Sequence, residues 1–188
     1  MLSKELTAMF GMQGEDLFNG LGFETLLNQM RAACEIKMFT LSLMSALTIP
    51  DICGGIDSAN GEASRSSYVN WFDNHLPVYG STFDGKECYY LRCKLLHQGI
   101  TTHDKSKYER ITFHSNRDNN GCMYHRCTMK VAQTGATVLM LSFEDFVSDI
   151  IEAAIKWYQK HPNKRRIDET FGAMLGYSNY IRGMIVYS

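Results

Sequence analysis

Apolar residues recur with a helical period from Phe23 onward. Phe23, Leu26, Leu27, Met30, Cys34, Met38, Leu41 and Ser45 lie along one stripe, and Ile36, Phe39, Leu43 and Leu47 form a second stripe in the later half. A helix apolar on two faces packs on several sides, so this pattern predicts one long central helix. It is expected to stop near Thr48, because the residue before Pro50 is disfavoured in α geometry. Asp51 to Gly61 then reads as a loop, with Gly54-Gly55 and Asn60-Gly61 as turn positions. Glu62 to Leu76 reads as a helix burying Tyr68, Trp71, Phe72 and Leu76, ended by Pro77. A further amphipathic helix starts between Phe83 and Lys86 and ends at Gly99, with Cys88, Leu91 and Leu95 on its packed stripe.

Beyond Gly99 the period changes. Met123 to Val131 alternates apolar and polar residues, as a half-buried strand does, and Tyr108–His114 and Ala136–Leu141 are its expected partners. Asn119-Asn120-Gly121 and Gln133-Thr134-Gly135 supply the turns. The helical period returns after Ser142, an N-cap with Asp145 three residues on, and Phe143, Phe146, Val147, Ile150, Ile151, Ala154, Trp157 and Tyr158 form one face. His161-Pro162 ends that helix, and the apolar tail from Phe171 to Ser188 is expected to dock on the core. The fold class is mostly α. It is a single-domain bundle of about four long helices with a small antiparallel hairpin or meander inserted over roughly residues 105–141.

Composition narrows the function classes. The chain has 188 residues and a formal net charge of -1, so it is no global polyanion binder. Charge is uneven, however. Between Thr101 and Lys130 six Lys/Arg face three acids, and Lys160 to Arg166 forms a second basic cluster; both are ordinary as solvated surface. The six cysteines fall largely in apolar-periodic segments, which fits free thiols in a reducing compartment better than a disulfide framework. No secretory signal pattern or glycosylation sequon is present, and the apolar run from Met38 to Pro50 is too short to span a bilayer. The expectation is a cytoplasmic protein with no membrane association.

The chemistry-bearing stretch is Cys88-Tyr89-Tyr90-Leu91-Arg92-Cys93-Lys94-Leu95-Leu96-His97-Gln98-Gly99. A planar, permanently charged arginine suits a phosphate, and a histidine titrates near neutrality and moves protons. Mid-helix, a five-residue spacing sets the two side chains about 140° apart, so they converge only at a frayed end. The ordinary alternative is a surface arginine with a histidine complementing the helix dipole. Cys93 and His97 share a face and form a weaker candidate thiol dyad. Cys122-x-x-His125-x-Cys127 fits no standard zinc spacing, so no metal and no cofactor are assigned. Walker, dinucleotide and EF-hand patterns are missing from the sequence.

Arg92-x4-His97 late in a helix of a small bundle resembles the signature of the HEPN superfamily, R-x4–6-H. The resemblance extends over residues 49–99, through Ile49-Pro50-Asp51-Ile52-Cys53-Gly54, Asn70-Trp71-Phe72-Asp73 and Tyr90 to Gly99. It implies metal-independent endoribonuclease chemistry, with Arg92 and His97 catalytic and Lys94, Gln98, Lys105 and Lys107 as candidate substrate contacts. It also implies RNA as partner, a homodimer, and a place in bacterial defence or a toxin–antitoxin system with an antitoxin partner. The competing expectation is a non-catalytic dimerisation, protein-interaction or nucleotide-binding module of the same fold. Cys93 departs from the family pattern, which often has Asn, Asp or His after the arginine. Trp71, Phe72, Tyr89 and Tyr90 are the expected apolar patch for dimerisation.

Overall fold

The computed structural model describes residues 22–115 and 124–175. Its helices are α1 (Phe23–Glu35), α2 (Phe39–Asp57), α3 (Arg65–His75), α4 (Gly85–Gln98), α5 (Phe143–Lys160) and α6 (Lys164–Leu175). Its strands are β1 (Arg110–His114), β2 (Cys127–Lys130) and β3 (Thr137–Ser142), inserted between α4 and α5. The chain is thus mostly α with a small β insert, as its periodicities imply.

The expected single long helix is two helices. α1 buries Phe23, Leu27, Met30 and Cys34, and then Lys37 takes a left-handed φ of 64°. Met38 N–H reaches back to the Ala33 carbonyl at 2.8 Å and closes the end of α1. That six-residue closure is the Schellman geometry usually completed by glycine. The two apolar stripes therefore belong to helices with different axes, and Ile36, Met38 and Leu41 are exposed rather than packed.

The expected stop at Thr48 is also wrong. α2 continues through Pro50 to Asp57, which turns the predicted loop from Asp51 into helix. Proline costs the ladder one donor, but burial of Ala46, Leu47, Ile49, Cys53, Gly54 and Gly55 holds the segment helical. Gly54 is needed for close approach, not for a turn: a Cβ there would lie 2.6 Å from the Ser67 carbonyl oxygen of α3. The turn itself is short and is closed by Ser58, whose hydroxyl donates to the Gly55 carbonyl at 2.7 Å. At 19 residues α2 is long and apolar enough to cross a bilayer, yet half of its apolar window is buried inside the bundle, as in a core helix. That is compatible with a soluble protein.

α3 begins three residues later than the pattern implies, at a capping box between Ser64 and Ser67. Tyr68, Trp71, Phe72 and Leu76 are buried as expected. α4 starts at Asp84, whose carboxylate accepts the Glu87 N–H at 2.9 Å, and ends at Gly99 in left-handed geometry. Cys88, Leu91 and Leu95 form its packed stripe. Ser142 caps α5, accepting the Asp145 N–H, and His161 terminates that helix.

The sheet corrects the antiparallel meander. Its order is β1-β3-β2, with β1 parallel to β3 and only β2 antiparallel to it. β2 spans only Cys127–Lys130 of the expected Met123–Val131. The Gln133-Thr134-Gly135 turn does join β2 to β3, with Gly135 at φ 70°. The other expected turn, Asn119 to Gly121, lies outside the described residues, as do residues 1–21 and 176–188. Ile111, Leu139 and Leu141 anchor the sheet in the core. Phe171 of α6 packs on Phe23 at 5.2 Å, so the first residue of the predicted tail docks on the core.

Candidate functional site

α4 lies against both α2 and α3, and this packing joins the three sequence segments that carry the HEPN resemblance. Asp73 of α3 accepts the backbone N–H of Gly85 at 2.7 Å, fixing the start of α4. A Cβ at Gly85 would lie 2.6 Å from the Val69 carbonyl oxygen, so the helices touch backbone to backbone. Asp51 of α2 holds the middle of α4: Arg92 Nε donates to Asp51 Oδ2 at 2.8 Å, a charge-assisted bond. The side chains are 24% and 17% exposed, so the pair sits at the surface edge of the core. Burial raises the Asp51 carboxyl above its ordinary range even against the pull of Arg92. For Arg92, burial opposes the charge but Asp51 and Cys93 outweigh it, holding the guanidinium above its usual value.

The cysteine next to the motif arginine belongs to this cluster. Cys93 and Tyr89 are four residues apart on α4 and neighbour each other on one face, and burial first, then the Cys93 thiol, push the Tyr89 hydroxyl up. Arg65, the first residue of α3, lies over the rings of Tyr89 at 5.8 Å and Tyr90 at 5.2 Å. Its Nη2 donates to the Tyr90 hydroxyl at 2.9 Å. Tyr90 in turn is stacked on His103, with centroids 4.4 Å apart.

His97 is exposed in the last turn of α4 and makes no hydrogen bond or ion pair among the described residues. Ideal helix geometry puts it about 7.5 Å along the axis from Arg92 and about 140° around it. The two motif residues therefore do not form a closed pair within one chain. Cys93 and His97 are not bonded to each other either.

The remaining candidates are dispersed. Lys94 Nζ bonds Gln98 Oε1 at 3.1 Å on the exposed side of α4, beside the motif. Lys105 is exposed, its N–H bonded to His103 Nδ1 at 3.0 Å. Lys107 donates through Nζ to the Ser81 carbonyl and through its N–H to buried Glu87, at the opposite end of α4 from His97. Ten helical residues separate Glu87 from His97, about 15 Å along the axis.

The aromatic patch expected for dimerisation is not one. Trp71, Phe72 and Tyr90 are buried, and Tyr89 is partly covered. Exposed apolar side chains lie elsewhere, at Ile36, Met38, Leu41 and Ile100. Of the six cysteines, Cys34, Cys53 and Cys88 are buried and Cys93 and Cys127 partly exposed, none of these five in a disulfide, while Cys122 lies outside the described residues. His125 serves the fold: its Nδ1 accepts the Ser142 N–H at 3.2 Å, and its Nε2 meets the Tyr79 hydroxyl at 3.3 Å. Tyr79 also donates to Asp149 Oδ2 at 2.9 Å, so the three side chains latch the sheet to α5.

Sequence reasoning misses Asp51 and Arg65 and gives Tyr89 only to the dimerisation patch. Asp51 carries a signal, since it lies in a resemblance segment, but Pro50 and the glycines after it make the sequence read there as a loop. Arg65 carries none, because its neighbours in sequence are serines. No protein-family model, curated protein or solved structure matches the chain.

Proposed function

We propose that this chain is a HEPN-type RNA-binding protein that cleaves RNA without a metal ion, working in the cytoplasm as a homodimer. The reading rests on the resemblance and is supported by one observation above the others. Arg92 is held by Asp51 through Nε, which leaves the two terminal nitrogens of the fork for a phosphate. In this chemistry the ribose 2′-hydroxyl attacks the adjacent phosphorus and the 5′-oxygen leaves. His97 takes or returns the proton, and Arg92 stabilises the charge on the phosphoryl oxygens. RNA is required because DNA lacks that internal nucleophile. Since Arg92 and His97 do not meet in one chain, a second copy facing the first is the simplest way to complete the site. Exposed Ile36, Met38, Leu41 and Ile100 are apolar surface available for such a contact. A role in defence or toxin–antitoxin biology follows from the resemblance alone.

A second reading has its own support. Asp51 offsets the charge of Arg92, and His97 has no bonded partner, an arrangement equally suited to a non-catalytic RNA- or protein-binding module. The test is RNA cleavage by the purified protein in EDTA, followed by product analysis. The nuclease reading expects 2′,3′-cyclic phosphate ends and a loss of about 10²–10⁴-fold in His97→Ala and in Arg92→Ala. Cleavage that needs a divalent ion, or that survives both substitutions, refutes it. RNA binding without cleavage establishes the second reading.

A further inference from the structure

Arg65 is an arginine held in place with no acid to neutralise it. Its guanidinium is fixed from two directions, by the Tyr90 hydroxyl at 2.9 Å and by the faces of Tyr89 and Tyr90. Tyr90 is only 5% exposed and is clamped by the stacked His103 ring, so the anchor itself is rigid. Among the described residues no carboxylate pairs with Arg65, although its side chain is exposed. Helix stability does not account for a cation there. Arg65 is the first residue of α3, and positive charge at a helix N-terminus opposes the macrodipole. An ordering cost already met in the free protein, in a fork left uncompensated, favours an incoming anion.

Its position links it to the motif. Tyr89 lies under Arg65 and one helical turn before Arg92 on α4, so one tyrosine neighbours both arginines. With Asp51 ionised, Arg65, Arg92 and Asp51 together leave one unit of positive charge at this face. We infer that Arg65 grips a second backbone phosphate of a single-stranded RNA whose scissile phosphate lies at Arg92, so the site takes an oligonucleotide and not an isolated dinucleotide. The inference rests on the RNA-directed reading of Arg92 and His97. It adds a substrate-positioning residue from a different helix, one outside the R-x4-H motif.

The experiment measures binding of a fluorescent single-stranded RNA of about 12 nucleotides across a range of salt concentrations. The protein carries His97→Ala to prevent cleavage, with and without Arg65→Gln. Glutamine keeps an amide donor for Tyr90 and removes the charge, and thermal unfolding confirms that the variant is folded. Loss of one charge-assisted phosphate contact weakens binding about ten- to hundredfold. It also makes the slope of log K against log salt shallower by about 0.7. Unchanged affinity and slope in a folded Arg65→Gln protein overturn the assignment of Arg65 and leave the RNA reading standing. Absence of RNA binding by the parent protein overturns both.

Discussion

Gly54→Ala separates helix propensity from helix packing in this bundle. Gly54 lies inside α2, where alanine is favoured over glycine by about 1 kcal/mol, so local propensity alone expects a more stable protein. The tertiary structure expects the reverse. The new Cβ would lie 2.6 Å from the Ser67 carbonyl oxygen and 2.8 Å from its carbon, both backbone atoms that cannot swing aside. Restoring ordinary contact moves α3 away by about 0.8 Å. Such a shift strains Tyr68, which is fully buried and donates to the Leu47 carbonyl at 3.1 Å. Overpacking of this kind costs about 3 kcal/mol at the upper end of its usual range, and propensity returns about 1 of that. A net loss of about 2 kcal/mol lowers Tm by about 4–8 °C in a chain of this length. Thermal unfolding followed by circular dichroism reads it directly. A Tm equal to or above that of the parent protein would show that α2 and α3 do not meet at this glycine, and the placement of Asp51 against Arg92 would lose its support.

Asp51→Asn removes a charge that burial already disfavours and leaves the Arg92 Nε a neutral acceptor, so stability in denaturant unfolding changes by no more than about 1 kcal/mol. On the nuclease reading its cleavage rate falls, because the fork is no longer oriented; a folded variant with the parental rate would contradict the positioning role. Asp149 behaves differently with pH. Burial raises its carboxyl, but His125 at 3.6 Å and the hydrogen bond from Tyr79 win and hold it below 3.8. Its stabilising effect is therefore present above the ordinary carboxylate range and is lost as pH falls through the folded value. Asp149→Asn accordingly lowers Tm at neutral pH, and the gap to the parent protein closes as pH drops below 3.8. A gap that stays constant down to acid pH refutes the latch formed by Tyr79, His125 and Asp149.

Part of the site was legible because its signals are local. The helical stripe and the terminal glycine of α4 sit within a few residues of Arg92 and His97. Arg92's partner was not legible, since Asp51 is 41 residues away and its helical state depends on burial. Arg65 was hidden for the same reason. Its neighbours Tyr89 and Tyr90 come from another helix, and only the packing of α3 on α4 brings them together.

The sequence by itself determined where α3, α4 and α5 run, because caps, prolines and the 3.6-residue stripe are encoded at each end and along each face. It also determined the mostly helical class and the small β insert. Tertiary structure decided the rest. It broke the first long stripe at Lys37, where a left-handed residue without glycine leaves no local mark. It carried α2 through Pro50, where burial on several sides outweighs one missing hydrogen bond. It set β1 parallel to β3, because alternation specifies which face of a strand is buried but not the direction of its neighbour. Whether an arginine faces a carboxylate or an open surface depends on contacts between helices distant in sequence, and periodicity carries no information about them.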